Sequence, residues 1–282
     1  MDKLIKKIRL SAKMNQEQFA NALGTTVLSI NRWENNKTYP NKMAQANLLK
    51  FCKKYNIDLF SFIVDELKKE KENSLILYHG SKSGIKGDIA PTSRSKCDFG
   101  KGFYLGTEPS QPLTLICDEE NPVFYTVEID ITELKVLTVD ISLDWAMLIA
   151  YHRGYLEEVK GSKLYEKYST MSKGYDVIVG YIANDRMYKV MKSFFENEIT
   201  DVALFNSLSV LELGKQYVAI TPKACKQIKI LKEKVLSSLE LGILKERSYI
   251  NREEGINSTE EILKKYRREG KYFDEIVGDE SE

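Results

Sequence analysis

The stretch that decides the fold of the N-terminal part of the chain reads NQEQFANALGTTVLSINRWENNKTYP and occupies residues 15–40. Asn15 and Gln18 approximate a capping box at the start of a helix, and Gly24 separates this helix from the next. The apolar residues recur at spacings of three and four, which predicts two amphipathic helices: Phe19, Ala20, Leu23, Ile30 and Trp33. The same spacing continues on both sides, so residues 1–70 are predicted to form consecutive short helices.

This helical segment is basic, although the whole chain of 282 residues has a formal net charge of only +1. Residues 1–57 contain 11 lysines and arginines against 3 acidic residues, whereas residues 236–282 contain 8 against 12. A local excess of positive charge indicates a polyanionic partner for the N-terminal part alone.

Composition excludes several classes of protein. With 43% hydrophobic and 29% charged residues the chain can bury a core, and no apolar run reaches the roughly 18 residues of a membrane span. The first residues lack the apolar region of a signal peptide. The four cysteines have no C-x-x-C spacing and no histidine at ligand spacing. We therefore expect a cytoplasmic protein with reduced thiols, no membrane association and no metal site.

The segment of residues 15–40 resembles the lambda-repressor-like (XRE-type) helix-turn-helix family. The resemblance rests on the N-Q-E-x-F-A run, the glycine between the helices and the W-E-N that precedes a proline, and it covers about residues 1–70. It implies an all-α domain that binds operator DNA through a third helix in the major groove. Some domains of this type bind only protein partners, so an N-terminal domain that recruits a partner protein is an alternative.

The resemblance also implies roles for individual residues of this domain. Apolar side chains at base-facing positions can contact thymine methyl groups but read no hydrogen-bonding edge. Arg9 and Glu34 resemble the family's internal ion pair and are predicted to stabilise the domain. By position, the implied base contacts are Val27, Leu28 and Asn31, and the implied phosphate contacts are Gln16, Thr26 and Arg32.

The pattern changes after the charged run KKEKENS, residues 68–74, which is typical of a linker. Five stretches predict strands: LILYHG at 75–80, VFYTVEID at 123–130, KVLTVD at 135–140, YDVIVGYIA at 175–183 and QYVAIT at 216–221. Residues 143–159 and 184–198 show helical spacing. Because strands and helices mix without a regular βαβ order, residues 75–235 are predicted to form an α+β domain. No dinucleotide-binding fingerprint or P-loop occurs in it.

Two motifs of this domain, about 25 residues apart, carry a second resemblance. Tyr78-His79-Gly80-Ser81 ends the first predicted strand, and Asp98-Phe99-Gly100-Lys101-Gly102-Phe103-Tyr104 forms a glycine-rich turn that leads into aromatics. Together they resemble the His-Tyr-Glu branch of the ADP-ribosyltransferase-like superfamily, and more closely a bacterial family of it known mainly as a domain of unknown function. Arg94, Gln111, the run Gly174 to Asp185 and the run Gln216 to Val218 follow the same pattern in order.

The second resemblance implies that NAD is a substrate and that its bond between nicotinamide and ribose is broken. His79 would hydrogen-bond the ribose hydroxyls, Gly80 would pair with the carboxamide through its backbone, and Tyr104 would stack on the nicotinamide ring. The further residues implied in binding NAD are Phe103 beside Tyr104, Arg94 toward the pyrophosphate, and Asn184 and Asp185 in a loop over the site. Capping of the following helix is an equal alternative for Asn184 and Asp185.

The third motif of the branch differs in this chain. Gln216 stands where the branch has its glutamate, and it completes the implied catalytic set with His79 and Tyr104. An amide accepts a hydrogen bond but carries no charge and cannot act as a base. Single transfer of ADP-ribose, slow hydrolysis and NAD binding alone therefore stay open. We expect His79 and Tyr104 on adjacent strands facing one cleft, with Gln216 on its rim.

Residues 236–282 are predicted to form a helical extension. Ser258 and Glu261 have the spacing of a capping box and Gly270 is a stop signal, which predicts a helix from about Thr259 to Glu269. The final DESE is predicted to be disordered.

The hypothesis favoured by these features is an NAD-dependent mono-ADP-ribosyltransferase fused to a DNA-binding head, in a toxin–antitoxin or phage-defence setting. Its partners would be NAD, operator DNA, a cognate antitoxin or regulatory protein, and a second copy of the chain in a homodimer. The alternative is a transcriptional regulator that senses NAD or ADP-ribose with a catalytically inactive transferase fold. Gln216 favours this alternative, and the pair of His79 and Tyr104 favours the enzyme.

Overall fold

The computed structural model of the chain describes residues 4–68, 75–181, 185–209, 214–266 and 269–281. Two compact units are present: residues 1–68 with 236–247, and residues 69–235 with 248–282. We call the first unit the head and the second the sheet domain. Within the described ranges, none of the helices is both long enough and apolar enough to cross a membrane.

The head begins with five short helices: α1 (Leu4–Ser11), α2 (Gln16–Leu23), α3 (Val27–Glu34), α4 (Lys42–Lys54) and α5 (Leu59–Leu67). The predicted capping box is confirmed, because the Asn15 side chain accepts from the Gln18 backbone N–H at 2.8 Å and the Gln18 side chain accepts from the Asn15 N–H at 3.0 Å. Gly24 ends α2 in the left-handed region, with φ of 66°. The buried apolar residues of all five helices form the core of the head.

The described part of the sheet domain contains seven strands: β1 (Leu75–Ser81), β2 (Phe103–Gly106), β3 (Val123–Ile129), β4 (Val136–Val139), β5 (Val177–Tyr181), β6 (Lys215–Ala219) and β7 (Ile228–Val235). They form one sheet in the order β4-β5-β6-β2-β1-β3-β7, and every neighbouring pair is antiparallel except β4 with β5. The helices between them are α6 (Ser110–Ile116), α7 (Leu143–Arg153), α8 (Lys163–Met171), α9 (Asp185–Phe195), α10 (Asp201–Ser209) and α11 (Pro222–Cys225). The predicted mixture of helices and strands is confirmed.

Each face of the sheet covers its own apolar cluster. On one face, Ile178 and Val218 pack with the buried residues of α7 and α10, including Trp145. On the other face, Phe103 and Val179 pack with residues of β1 and β3. Because successive strand residues point to opposite faces, Tyr104 belongs to the first face and its neighbour Phe103 to the second.

The C-terminal residues belong to both units. Helix α12 (Ser238–Tyr266) is continuous through the position where a separate helix was predicted to begin at Thr259, and its first residues pack in the head. There Lys53 Nζ lies 2.5 Å from Glu246 and Arg247 lies over the Phe60 ring. Helix α13 (Phe273–Ser281) includes residues of the DESE end that was predicted to be disordered. Burial of Phe273 against α9 residues explains why this end is helical.

Candidate functional site

The first two strands of the sheet domain meet at a single position and then part. The register of β1 with β2 contains only the pair Tyr78 and Gly106, whereas β1 pairs with β3 over seven residues and β2 pairs with β6 over four. The residues that follow Tyr78 therefore line a fork in the sheet. His79 is the first of them, and its Nδ1 lies 2.8 Å from the backbone carbonyl oxygen of Tyr104.

This hydrogen bond fixes the chemistry of His79. A carbonyl oxygen can only accept, so Nδ1 carries the proton, and in the neutral ring Nε2 is left as an acceptor. Burial lowers the pKa of His79, and the hydrogen bond to Tyr104 opposes that effect only in part. The ring is stacked on Phe103 at 4.2 Å between centroids. His79 is thus held as a neutral imidazole whose Nε2 accepts no hydrogen bond from the described residues.

Tyr104 approaches the fork with its backbone, and its ring lies on the other face of the sheet. The Tyr104 hydroxyl donates to the carbonyl of Gly100 at 2.7 Å and accepts from the backbone N–H of Phe99 at 3.1 Å. Burial raises the pKa of Tyr104, which keeps the hydroxyl protonated. The prediction that His79 and Tyr104 lie on adjacent strands is confirmed. The prediction that their side chains face one cleft is wrong, because the His79 ring lies on the Phe103 side of β2.

Phe103 was implied to contact NAD, but its ring is buried. It packs in the apolar cluster on the second face of the sheet, and the His79 ring is stacked on it. Phe103 therefore holds His79 and presents no free face to a ligand.

Gln216 lies on β6, directly opposite Gly106 of β2 and Gly180 of β5. Its side chain shares the sheet face of Tyr104, and the residue is only 4% exposed. The Nε2 group donates to the backbone carbonyl of Tyr181 at 3.3 Å. The expectation that Gln216 stands on a rim is therefore wrong, since the residue is buried between Gly106 of β2 and Gly180 of β5.

Two glycines of the candidate site, Gly106 and Gly80, admit close packing by neighbouring side chains. A Cβ added at Gly106 would lie 2.5 Å from Gln111 Oε1, and one added at Gly80 would lie 2.8 Å from Ile116 of α6. The resemblance assigns the glycine at position 80 to contact with the nicotinamide carboxamide. The structure gives a second reason, because α6 packs directly on the Gly80 backbone.

Two residues missed by the sequence analysis hold the glycine-rich turn. Arg153, the last residue of α7, donates from Nε to Asp98 Oδ1 at 3.0 Å and also pairs with it through Nη2. His152 packs on Gly100, where an added Cβ would lie 2.7 Å from the ring Nδ1. Their separation of more than 50 residues from the turn left no local signal in the sequence.

The other residues implied in NAD binding are less constrained. Arg94 is exposed, and the adjoining Ser93 brings it beside the turn, because Ser93 Oγ accepts from the Gly102 N–H at 3.0 Å. Asp185 begins α9, and Asn184 lies outside the described residues.

Five of the six predicted DNA contacts are on the exposed surface of the head: Thr26, Val27, Leu28, Asn31 and Arg32. Val27 and Leu28 are 42% and 59% exposed, which leaves them available to a partner. Thr26 also caps α3, because its Oγ1 accepts from the Ser29 N–H.

Gln16 has a different environment. Its Nε2 donates to Glu34 Oε2 at 2.9 Å, and Glu34 also accepts from Arg9 Nε at 2.7 Å. The predicted ion pair of Arg9 and Glu34 is thus present. The prediction that Gln16 contacts a phosphate stays a prediction, and in this structure one of the two N–H donors of its amide binds Glu34.

Comparison with known proteins follows the same division of the chain. Residues 75–230 match the model of a family described as a protein of unknown function (DUF3990). Residues 5–62 match a helix-turn-helix family model, which confirms the helix-turn-helix prediction. No curated protein matches the chain, and no solved structure does. The first family match has no assigned chemistry, so the use of NAD stays a prediction.

Proposed function

The chain belongs to the DUF3990 family of unknown function, and from the geometry of its sheet domain we propose that it is an NAD-dependent mono-ADP-ribosyltransferase with a DNA-binding head. In the proposed reaction the bond between the nicotinamide nitrogen and ribose C1′ breaks, nicotinamide leaves with the bonding electrons, and a nucleophile of the acceptor bonds to C1′ and releases its proton.

One observation carries the proposal. The three residues that resemble the catalytic motif come from positions 79, 104 and 216, and they lie on β1, β2 and β6, which are neighbours in the sheet. Their backbones lie beside the position where β1 and β2 part, with the His79 ring on one face of the sheet and the Tyr104 and Gln216 side chains on the other. A reaction with a good leaving group chiefly needs its substrate held and oriented, and a fork in a rigid sheet supplies fixed groups for that purpose.

His79 fits the ribose of NAD. Its Nδ1 is committed to the Tyr104 carbonyl, so Nε2 presents a lone pair in one fixed direction. A ribose hydroxyl can donate to that lone pair. A charged imidazolium would offer only donors, and the lowered pKa of His79 favours the neutral form.

Tyr104 and Arg94 fit two other parts of the ligand. The Tyr104 ring is half-buried and its hydroxyl is tied to the turn, so the ring is an oriented aromatic surface for a cationic nicotinamide. Arg94 is an exposed guanidinium beside the same turn and suits the pyrophosphate.

The neutral Gln216 restricts the reaction. An amide cannot take a proton from an incoming hydroxyl, so the site lacks the base that chain elongation needs at this position. We therefore assign single transfer of ADP-ribose to the enzyme.

The head defines the proposed biological setting. A helix-turn-helix beside a transferase would bind the operator of its own gene and so limit production of a harmful activity. In this setting the protein is a cytoplasmic toxin–antitoxin or phage-defence component, which acts with an antitoxin or regulatory protein and binds DNA as a homodimer.

A specific observation favours a second function. The Gln216 amide is enclosed and donates to Tyr181, which is the environment of a structural residue. A regulator that binds NAD without consuming it needs nothing more at this position.

The test is incubation of the full chain with NAD labelled in its ADP-ribose part and with cell lysate. A transferase moves label to material that is then sorted by protease and nuclease sensitivity. A sensor binds NAD in calorimetry but moves no label. Absence of both binding and transfer would refute both functions.

A further inference from the structure

The C-terminal end of α7 contacts the glycine-rich turn that precedes β2. Asp98 and Gly100 of the turn are each contacted by a side chain of α7, and these side chains are consecutive: Arg153 on Asp98, and His152 on Gly100. The rest of α7 is well buried, with six consecutive buried residues from Trp145 to Ala150. The turn is therefore fixed to a rigid element.

The contact of Arg153 with Asp98 fixes the orientation of the Asp98 carboxylate. Both Nε and Nη2 of the guanidinium donate to the same carboxylate oxygen, and both side chains are largely buried. Two donors of a planar group hold a partner more rigidly than one ammonium could.

The contact of His152 with Gly100 adds a steric limit. Gly100 is in the left-handed region with φ of 74°, and the imidazole lies so close that no side chain would fit there. The backbone carbonyl of this glycine is the group that accepts the hydrogen bond of the Tyr104 hydroxyl.

The position of this turn determines where the Tyr104 ring lies. The ring is connected to the backbone of β2 at one end and, through its hydroxyl, to Gly100 and Phe99 at the other. Two side-chain torsions separate these ends, so a displacement of the turn must rotate the ring.

We propose that Arg153 and His152 are positioning residues, which act through the turn and the Tyr104 hydroxyl to orient the ring that stacks on nicotinamide. This role rests on the proposed use of NAD. It assigns a function to Asp98 as the anchor of the turn, and to the tyrosine hydroxyl as a tether.

A double-mutant cycle tests the proposal in the full chain. Arg153→Gln and Tyr104→Phe should each lower kcat/KM for nicotinamide release by about tenfold, since small displacements of reacting groups have effects of this size. Tyr104→Phe keeps the ring but cuts the tether. In its presence Arg153→Gln should have an additional effect of only about twofold, because the two changes disrupt one connection.

The matched control is Lys167→Gln. Lys167 pairs at 2.7 Å with Asp144 at the other end of α7, away from the turn. It should leave kcat/KM unchanged in both backgrounds. An arginine that merely stabilises the fold would give a multiplicative loss of about a hundredfold in the double variant, and this result would overturn the proposal.

Two further arms keep the outcome decisive. Where Arg153→Gln does not fold, Arg153→Lys replaces it in the same cycle, since it keeps the charge but not the paired donors. Where the wild type binds NAD without turnover, the cycle is measured on the Kd for NAD. A wild type that neither binds nor consumes NAD refutes the proposed function itself, whereas an active wild type with an additive cycle refutes only the positioning role.

Discussion

The imidazole of His79 donates its Nδ1 proton to the backbone carbonyl of Tyr104, across the gap where β1 and β2 part. The bond joins the two sides of the fork through one side chain and one backbone atom. It also fixes the tautomer, because the carbonyl can only accept. The motif of His79 and the motif of Tyr104 are thus joined by the His79 side chain and the Tyr104 backbone. The Tyr104 side chain instead bonds to the turn, at Phe99 and Gly100.

Replacement of Gln216 by glutamate should destabilise the protein in a pH-dependent manner. The introduced carboxylate would be enclosed and would face the carbonyl oxygen of Tyr181 without a proton to donate. Its pKa should be raised in the folded state, so stability is retained at low pH and lost as pH rises. We expect a loss of about 1–3 kcal/mol at pH 8, and a smaller loss at pH 5, in urea unfolding.

Gln216→Met is the control for this prediction, because it removes the hydrogen bond without adding a charge and should show no pH dependence. An equal loss at both pH values for Gln216→Glu would contradict the enclosed site. Per folded molecule, an enzyme should keep or raise its rate of nicotinamide release, since negative charge lies beside a developing cation. A sensor should stay inert.

Arg32 and Gln16 should differ in how much they contribute to DNA binding by the head. Arg32 is exposed, and its replacement by alanine should weaken operator binding and reduce the slope of log K against log salt concentration by about one. Gln16→Ala should leave that slope unchanged, because an uncharged amide releases no counterions, and it should also leave the affinity unchanged, because its amide binds Glu34. Gel shifts on the DNA upstream of its gene, at several salt concentrations, measure both. A weaker affinity in a Gln16→Ala variant of unchanged stability would show that the amide contacts DNA.

The local signals in the sequence predict the secondary structure around residues 15–40 and along β1, β3 and β5 well. Capping at Asn15 and the reversal at Gly24 depend on neighbours within four residues, and runs such as YDVIVGYIA have the apolar content of buried strands. Strand β7 was not predicted, because four of its eight residues, Lys229, Lys232, Glu233 and Lys234, are charged. Its position at the sheet edge explains that composition.

The head should depend on residues far from it in sequence. Leu244 of α12 is fully buried within the head, so Leu244→Ala should cost about 2–5 kcal/mol of stability and weaken DNA binding with it. Tyr249→Ala, on an exposed position of the same helix, is the control. Thermal unfolding and gel shifts of the full chain provide the measurement. A head that binds DNA normally in Leu244→Ala at elevated temperature would contradict the assignment of α12.

Acid should destabilise the sheet domain through His152. Burial lowers its pKa from 6.5 to about 4, so the folded state resists a proton that the unfolded state accepts. The stability present above pH 6.5 is therefore lost as pH falls toward 4, by about 3 kcal/mol for a shift of this size. Urea unfolding between pH 7 and pH 4 should show a shallower loss in His152→Gln than in the wild type. Identical slopes would contradict this assignment.

The long-range contacts of the candidate site could not be predicted from the sequence. The motif residues were identified because each lies in a short run with its own spacing, and the order of strands brings them together. The contacts of Asp98 with Arg153 and of Gln216 with Tyr181 join residues separated by 55 and 35 positions. Such contacts depend on how strands and helices pack, which no local pattern contains. The same holds for the face to which the His79 ring turns.

The most direct test of the central claim is the rate of nicotinamide release from NAD by the full chain, in the wild type and in His79→Phe. The replacement keeps an aromatic ring for stacking on Phe103 but removes both nitrogens. We predict release by the wild type, and a rate lower by about a hundredfold or more in a variant that still folds. An equal rate in both proteins, or NAD binding with no release by the wild type, would contradict it.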